Sequence, residues 1–134
     1  MIELKNYIGG QLVPSLSGAT MENPEPATGK PFSLIPDSNK DDVDAAVEAA
    51  KNAFTSWSAL SNTDRGHYLI AIANRIKERS DELAEAESRD NGKPLWLAKK
   101  VDIRRAYENF EFFGTGIMHF ASEAHPMHDG VNYT

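Results

Sequence analysis

The sequence predicts a mainly α chain of about four helices, the last one long, behind a short N-terminal antiparallel β-ribbon. Three observations carry that expectation. Apolar residues return every three or four positions through Ile103, Ala106, Phe110, Phe113, Ile117 and Phe120, one stripe on a helix of about six turns that reaches Glu123. A break at Asp90-Asn91-Gly92-Lys93-Pro94 separates this helix from a shorter one. Gly92 supplies the left-handed turn that ends the shorter helix, and Pro94 blocks its continuation. Before residue 37, glycines and prolines punctuate short apolar runs, which is the chemistry of strands and turns.

Each element has its own local reason. The ribbon and its turns occupy residues 4–36, where Tyr7-Ile8 and Leu12-Val13 flank Gly9-Gly10, a pair suited to a tight hairpin. Asn23-Pro24-Glu25-Pro26-Ala27-Thr28-Gly29-Lys30 is a turn, and Phe32-Ser33-Leu34-Ile35-Pro36 a returning strand that the proline stops. Helices are expected over residues 38–123. Ser38 starts the first, with Asp41 completing a capping arrangement. Its apolar face is Val43, Val47, Ala50 and Phe54, with Ala46, Ala53 and Trp57 beside it, and the alanine density implies close packing. The second begins near Asn62-Thr63 and carries Leu69, Ile72, Ala73 and Ile76. Gly66 stands in its first turns at a cost of about 1 kcal/mol against alanine, with no compensation visible. Ser80 N-caps the third, helped by Asp81 and Glu82. After Glu123 the period fails: residues 124–130 read as a turn, and Val131-Asn132-Tyr133 as the beginning of a strand.

Composition narrows the function. One domain fits 134 residues, and 25% charged with 40% hydrophobic residues is ordinary for a globular protein. A net charge of −6 argues against a nucleic-acid surface. The chain has no cysteine, which excludes a disulfide framework, a zinc-thiolate site and a thiolate nucleophile. Neither a signal-peptide pattern nor an apolar run of membrane-spanning length is present, so a cytoplasmic protein is expected. Asn132-Tyr133-Thr134 matches a glycosylation pattern by chance.

Candidate chemistry is sparse. His119, Glu123, His125 and His128 lie close in sequence, but no standard metal spacing is met, and a polar helix end is the preferred reading. Gly114-Thr115-Gly116 lacks both the preceding strand and the third glycine of a dinucleotide loop. Trp57 and Trp96 read as core or helix-contact residues. The residues by themselves specify no catalytic, cofactor-binding or metal site.

Taken together and in order, several weak motifs become specific. Tyr7-Ile8-Gly9-Gly10-Gln11-Leu12-Val13, Asn23-Pro24 with Pro26-Ala27-Thr28-Gly29-Lys30, and Asp42-Val43-Asp44-Ala45-Ala46-Val47 come first. Ala53-Phe54, Trp57, Arg65, Glu82-Leu83-Ala84 and Asp90-Asn91-Gly92-Lys93-Pro94 follow. The whole chain resembles the N-terminal segment of an aldehyde dehydrogenase, hence a partial piece of that α/β fold. Val101-Asp102-Ile103-Arg104-Arg105, with Asn109-Phe110 and Phe112-Phe113, is similar to the branch that oxidises 2-aminomuconic and 2-hydroxymuconic semialdehydes. That branch usually has proline where Arg104 stands, and arginine, the better helix former, should preserve the helix.

The resemblance implies NAD(P)-dependent oxidation of an aldehyde, with a cysteine nucleophile, hydride transfer to nicotinamide and a glutamate-activated water. All of that machinery lies beyond residue 134, so the chain alone is expected to bind no NAD or NADP and to be inactive. The expected partners are the remainder of the enzyme and identical subunits, with residues 124–134 starting an oligomerisation strand. Asp90 matches a position that helps to hold a sodium ion in some members. Val101 and Arg105 match the face lining the aldehyde entrance, where an arginine suits a substrate with a far carboxylate; Glu108 is the competing ion-pair partner. The alternative is a naturally short, non-catalytic helical protein that binds a partner through its apolar stripe. The end of the chain inside a strand-like segment favours the enzyme piece.

Overall fold

Local chain chemistry accounts for most of the elements in the computed structural model, which describes residues 1–133. Strands β2 (Asn6–Ile8) and β3 (Gln11–Val13) form an antiparallel hairpin. Gly9 and Gly10 both take positive φ, 58° and 80°, as a two-residue turn between twisted strands demands. The rest of the N-terminal region is more than a ribbon. Strand β1 (Ile2–Glu3) pairs in parallel with β5 (Lys30–Pro36), whose other edge pairs antiparallel with β4 (Thr20–Glu25), giving the order β1-β5-β4. A two-residue strand has no period to detect, which is why β1 escaped the sequence reading. The β4–β5 register shifts between Asn23 and Pro24, where proline offers no N–H to the ladder.

Helix α1 (Lys40–Ser58) is capped by Asn39, not by Ser38 with Asp41. The Asn39 side chain accepts from the amides of Asp41 and Asp42, and Asp42 returns a carboxylate oxygen to the Asn39 amide at 2.9 Å. Ser38 is used elsewhere, its hydroxyl accepting from Asn6 Nδ2 at 2.8 Å. The second Asp42 oxygen accepts from the Leu16 amide at 2.8 Å, so this buried carboxylate ties the loop after β3 to α1. Beyond its first turn α1 is almost uncovered: Val43, Val47 and Phe54 are exposed, so the close packing expected from its alanines is not made within this chain.

Helix α2 (Asn62–Glu78) starts from Ser61, which accepts from the Asp64 amide at 3.1 Å. It runs through Arg79 into α3 (Ser80–Asn91). Ser80 is therefore not an N-cap. The Arg79 amide donates to Arg75 O, so the chain never becomes extended enough for Ser80 to cap. Arg79 holds the start of α3 with its guanidinium instead, Nε donating to Glu82 Oε2 at 2.8 Å. That bond lowers the Glu82 carboxyl from its ordinary value. At the other end Gly92 adopts φ 75° and donates to Ser88 O, the left-handed stop that the sequence predicts.

The long final helix is not uniform. A short turn α4 (Leu95–Leu97) passes into a π-helical turn (Ala98–Ile103) and then into α5 (Arg104–Met118). It ends at Met118 and not at Glu123, since Gly114 and Gly116 weaken the last two turns. Phe120, at the end of the predicted stripe, is 78% exposed. The segment read as a turn is itself a strand, β6 (Ala124–Met127), paired antiparallel with β7 (Gly130–Tyr133) across His128-Asp129.

Two contacts hold the helices together. Ala84 of α3, with Ala98 and Ile103 of the π turn, forms a buried cluster on which Ile76 and Leu83 pack. At the second, α2 and α5 cross with Gly66 facing Gly114, so close that a Cβ on Gly66 would lie 2.5 Å from Gly114 O. This explains Gly66: the helix accepts its lower propensity in exchange for backbone contact. Beside the crossing, Lys77 donates to Glu111 at 2.8 Å, and this bond raises the lysine above its ordinary value.

Candidate functional site

The two residues singled out from sequence, Val101 and Arg105, stand on the solvent side of the last helical segment. Their placement follows from what is buried opposite. Ala98 and Ile103 face α3, while Val101 is 36% exposed and Arg105 is exposed. The π turn between them is clamped to its neighbours by two ion pairs, Lys93 to Asp102 and Lys99 to Asp81. Where the π turn meets α5, the Arg104 amide donates to Val101 O, a tight closure within a continuous helix. The helix thus passes through Arg104 without interruption.

Charge pairing along this helix does not reach Arg105 among the described residues. Glu108, expected to compete for Arg105, is taken by Arg104, whose Nε donates to Glu108 Oε1 at 2.6 Å. The carboxylate holds the Arg104 guanidinium above its ordinary value. Arg105 then has no hydrogen bond or ion pair among the described residues. A guanidinium in that state, four residues after an exposed valine, can donate to a carboxylate through a bidentate fork while an apolar chain lies along the valine.

Other candidates separate. His125 Nε2 lies 3.2 Å from Glu123 Oε2, and His128 Nδ1 lies 2.6 Å from Asp129 Oδ1. Among the described residues, no three His, Asp or Glu side chains come together as a metal site would require. Asp90 accepts from Asn23 Nδ2 at 2.7 Å, which pins the end of α3 to β4. Trp57 rests against Tyr68 with ring centroids 5.5 Å apart but remains 41% exposed, and Trp96 is 65% exposed, so neither is a core residue. Sequence reasoning missed the π turn, for which the one available signal was the five-residue spacing of Ala98 and Ile103.

The aldehyde dehydrogenase family model matches residues 13–134. The chain belongs to the aldehyde dehydrogenase family. It is 42% identical over 133 residues to the 2-aminomuconic semialdehyde dehydrogenase of Danio rerio, covering 98% of this chain and 27% of that protein. Against the 2-hydroxymuconic semialdehyde dehydrogenase of Pseudomonas sp. (strain CF600), identity is 39% over 128 residues, covering 95% and 26%. The crystal structure of PnpE in complex with nicotinamide adenine dinucleotide superposes with a TM-score of 0.92 at 36% identity, over 97% of this chain and 27% of that one. The chain therefore spans about a quarter of the length of the relatives it matches. No described helix is long and apolar enough to cross a membrane.

Proposed function

We propose that this chain is the N-terminal part of a cytoplasmic NAD(P)-dependent aldehyde dehydrogenase whose substrate carries a carboxylate at the end remote from the aldehyde, as a muconic semialdehyde does. In this reading the chain supplies scaffold and substrate contacts, while the nucleophile and the nicotinamide site belong to the rest of the enzyme. The β6–β7 hairpin, with exposed Val131 and Tyr133, is an edge suited to pairing with another subunit. The observation that carries the substrate assignment is the Arg105 guanidinium, exposed and without a partner among the described residues, where Arg104 takes Glu108.

The test is Arg105→Ala in the complete enzyme, assayed with a carboxylate-bearing semialdehyde and an uncharged aliphatic aldehyde. A hydrogen bond to a charged partner is worth ~1.5–3 kcal/mol, so kcat/KM for the charged substrate should fall roughly ten- to a hundred-fold. The aliphatic aldehyde should change much less. Equal losses on both would remove Arg105 from substrate recognition. The alternative, a non-catalytic helical protein, would bind a partner through the apolar stripe of the last helix, where Phe113 and Phe120 are exposed.

A further inference from the structure

The irregularity in the β4–β5 ladder turns two neighbouring side chains of β5 to the same face. Asn23 pairs with Ser33 and Pro24 with Pro31, so Phe32 is the extra residue of a β-bulge. In a regular strand Phe32 and Ser33 would point to opposite faces. Here the Phe32 ring meets the Arg89 guanidinium of α3, 4.6 Å from the ring centroid, and Glu25 holds that guanidinium from the other strand at 3.6 Å. Ser33 faces α3 as well. Directly paired residues share a face, and its partners are Ile2 of β1 and Asn23 of β4, the latter donating to Asp90 of α3.

Between this sheet face and α3 lies an open cleft of about 630 Å³, a size that takes a small organic molecule. Its apolar walls are Phe32, Ile2, Leu4, Leu83, Ala86 and Ile103. Ser33, set among them, is fully buried, and its hydroxyl has no hydrogen bond among the described residues. An unpaired buried hydroxyl costs stability that alanine, close to it in size, would not. The rim carries Glu82, Glu85, Glu87 and Asp90 against Arg89, which is itself paired with Glu25, so an anion is disfavoured there.

We propose that this cleft is a binding site for a neutral two-ring aromatic alcohol, its rings lying against Phe32, Leu83 and Ile103 and its hydroxyl donating to Ser33 Oγ. Ile2 stands beside Ser33 on the same face, 52% exposed in a two-residue strand, and is the side chain that yields to admit the ligand hydroxyl. The site is independent of Arg105 and of the aldehyde substrate.

The experiment is equilibrium dialysis of 2-naphthol against the complete enzyme. Naphthalene, which lacks the hydroxyl, and 2-naphthoate, which carries a negative charge, are the comparison probes. 2-Naphthol should bind saturably, with naphthalene about three- to ten-fold weaker, the worth of one hydrogen bond. 2-Naphthoate should be weaker by about three-fold or more because of the acidic rim. Ser33→Ala should bring 2-naphthol down to the affinity of naphthalene and leave naphthalene within about two-fold of the parent. The same variant should melt no lower than the parent, since it removes an unpaired hydroxyl. Ala86→Phe, projecting into the cleft from α3, should weaken both neutral probes and serves as the deciding variant if Ser33→Ala does not fold. Failure of 2-naphthol to bind, equal binding of 2-naphthol and naphthalene, or binding untouched by either variant would overturn the site. So would competitive inhibition of aldehyde oxidation by 2-naphthol that persists unchanged in Ser33→Ala, which would place the ligand at the aldehyde entrance instead.

Discussion

Placing a methyl group on each of three glycines should separate backbone contact from helix propensity. A Cβ on Gly66 would meet Gly114 O at 2.5 Å and Met118 Cε and Cγ at 2.7 and 2.9 Å. The methionine can swing away, but the carbonyl cannot unless α2 and α5 part. At Gly114 the contacts are Gly66 O at 3.0 Å, Ile70 Cγ1 at 3.1 Å and Leu69 Cβ at 3.1 Å, which small shifts relieve. At Gly116 nothing lies within 4 Å. Alanine gains about 1 kcal/mol over glycine inside a helix, against about 1–3 kcal/mol for overpacking. Gly66→Ala should therefore lose up to about 2 kcal/mol net, Gly114→Ala should be near neutral, and Gly116→Ala should gain about 0.5–1 kcal/mol. Urea unfolding of the 134-residue chain followed by far-ultraviolet circular dichroism measures all three. A Gly66→Ala chain as stable as Gly116→Ala would refute the close crossing.

Further outcomes follow from burial and exposure. Asp42→Ala removes the acceptor of both the Leu16 and the Asn39 amides from a buried position, and should cost about 2–4 kcal/mol in the same unfolding assay. Asp42→Asn, which keeps one acceptor oxygen, should lose less. The purified chain should bind an apolar dye or self-associate, because Phe54, Phe112, Phe113 and Tyr133 are each more than half exposed. A dye-negative monomer at high concentration in gel filtration would contradict that.

Much of the fold could be read in the sequence where a local rule sufficed. Gly92 had to be left-handed before Pro94, and Gly9-Gly10 had to turn a hairpin; both do. Where capping groups compete, local sequence alone points to the wrong one. Ser38 and Ser80 are good caps in isolation, but Asn39 with Asp42 closes a reciprocal box and Arg79 continues the preceding helix. The π turn is invisible to a single 3.6-residue period, which places Ala98 and Ile103 on different faces. Gly66 was unexplained because its partner, Gly114, is distant in sequence and meets it only in the folded chain. Arg105 as a substrate contact comes from resemblance alone, because neither spacing nor composition singles it out; Glu108, its expected competitor, pairs with Arg104.

We infer that this chain carries scaffold and substrate contacts but none of the reacting groups of an aldehyde dehydrogenase. With no cysteine, it has no thiolate to attack an aldehyde. The most direct measurement is formation of reduced nicotinamide by the purified 134-residue chain with NAD or NADP and either a carboxylate-bearing or an aliphatic aldehyde. The predicted result is no turnover above a mock preparation. Sustained formation of the reduced cofactor would contradict the account.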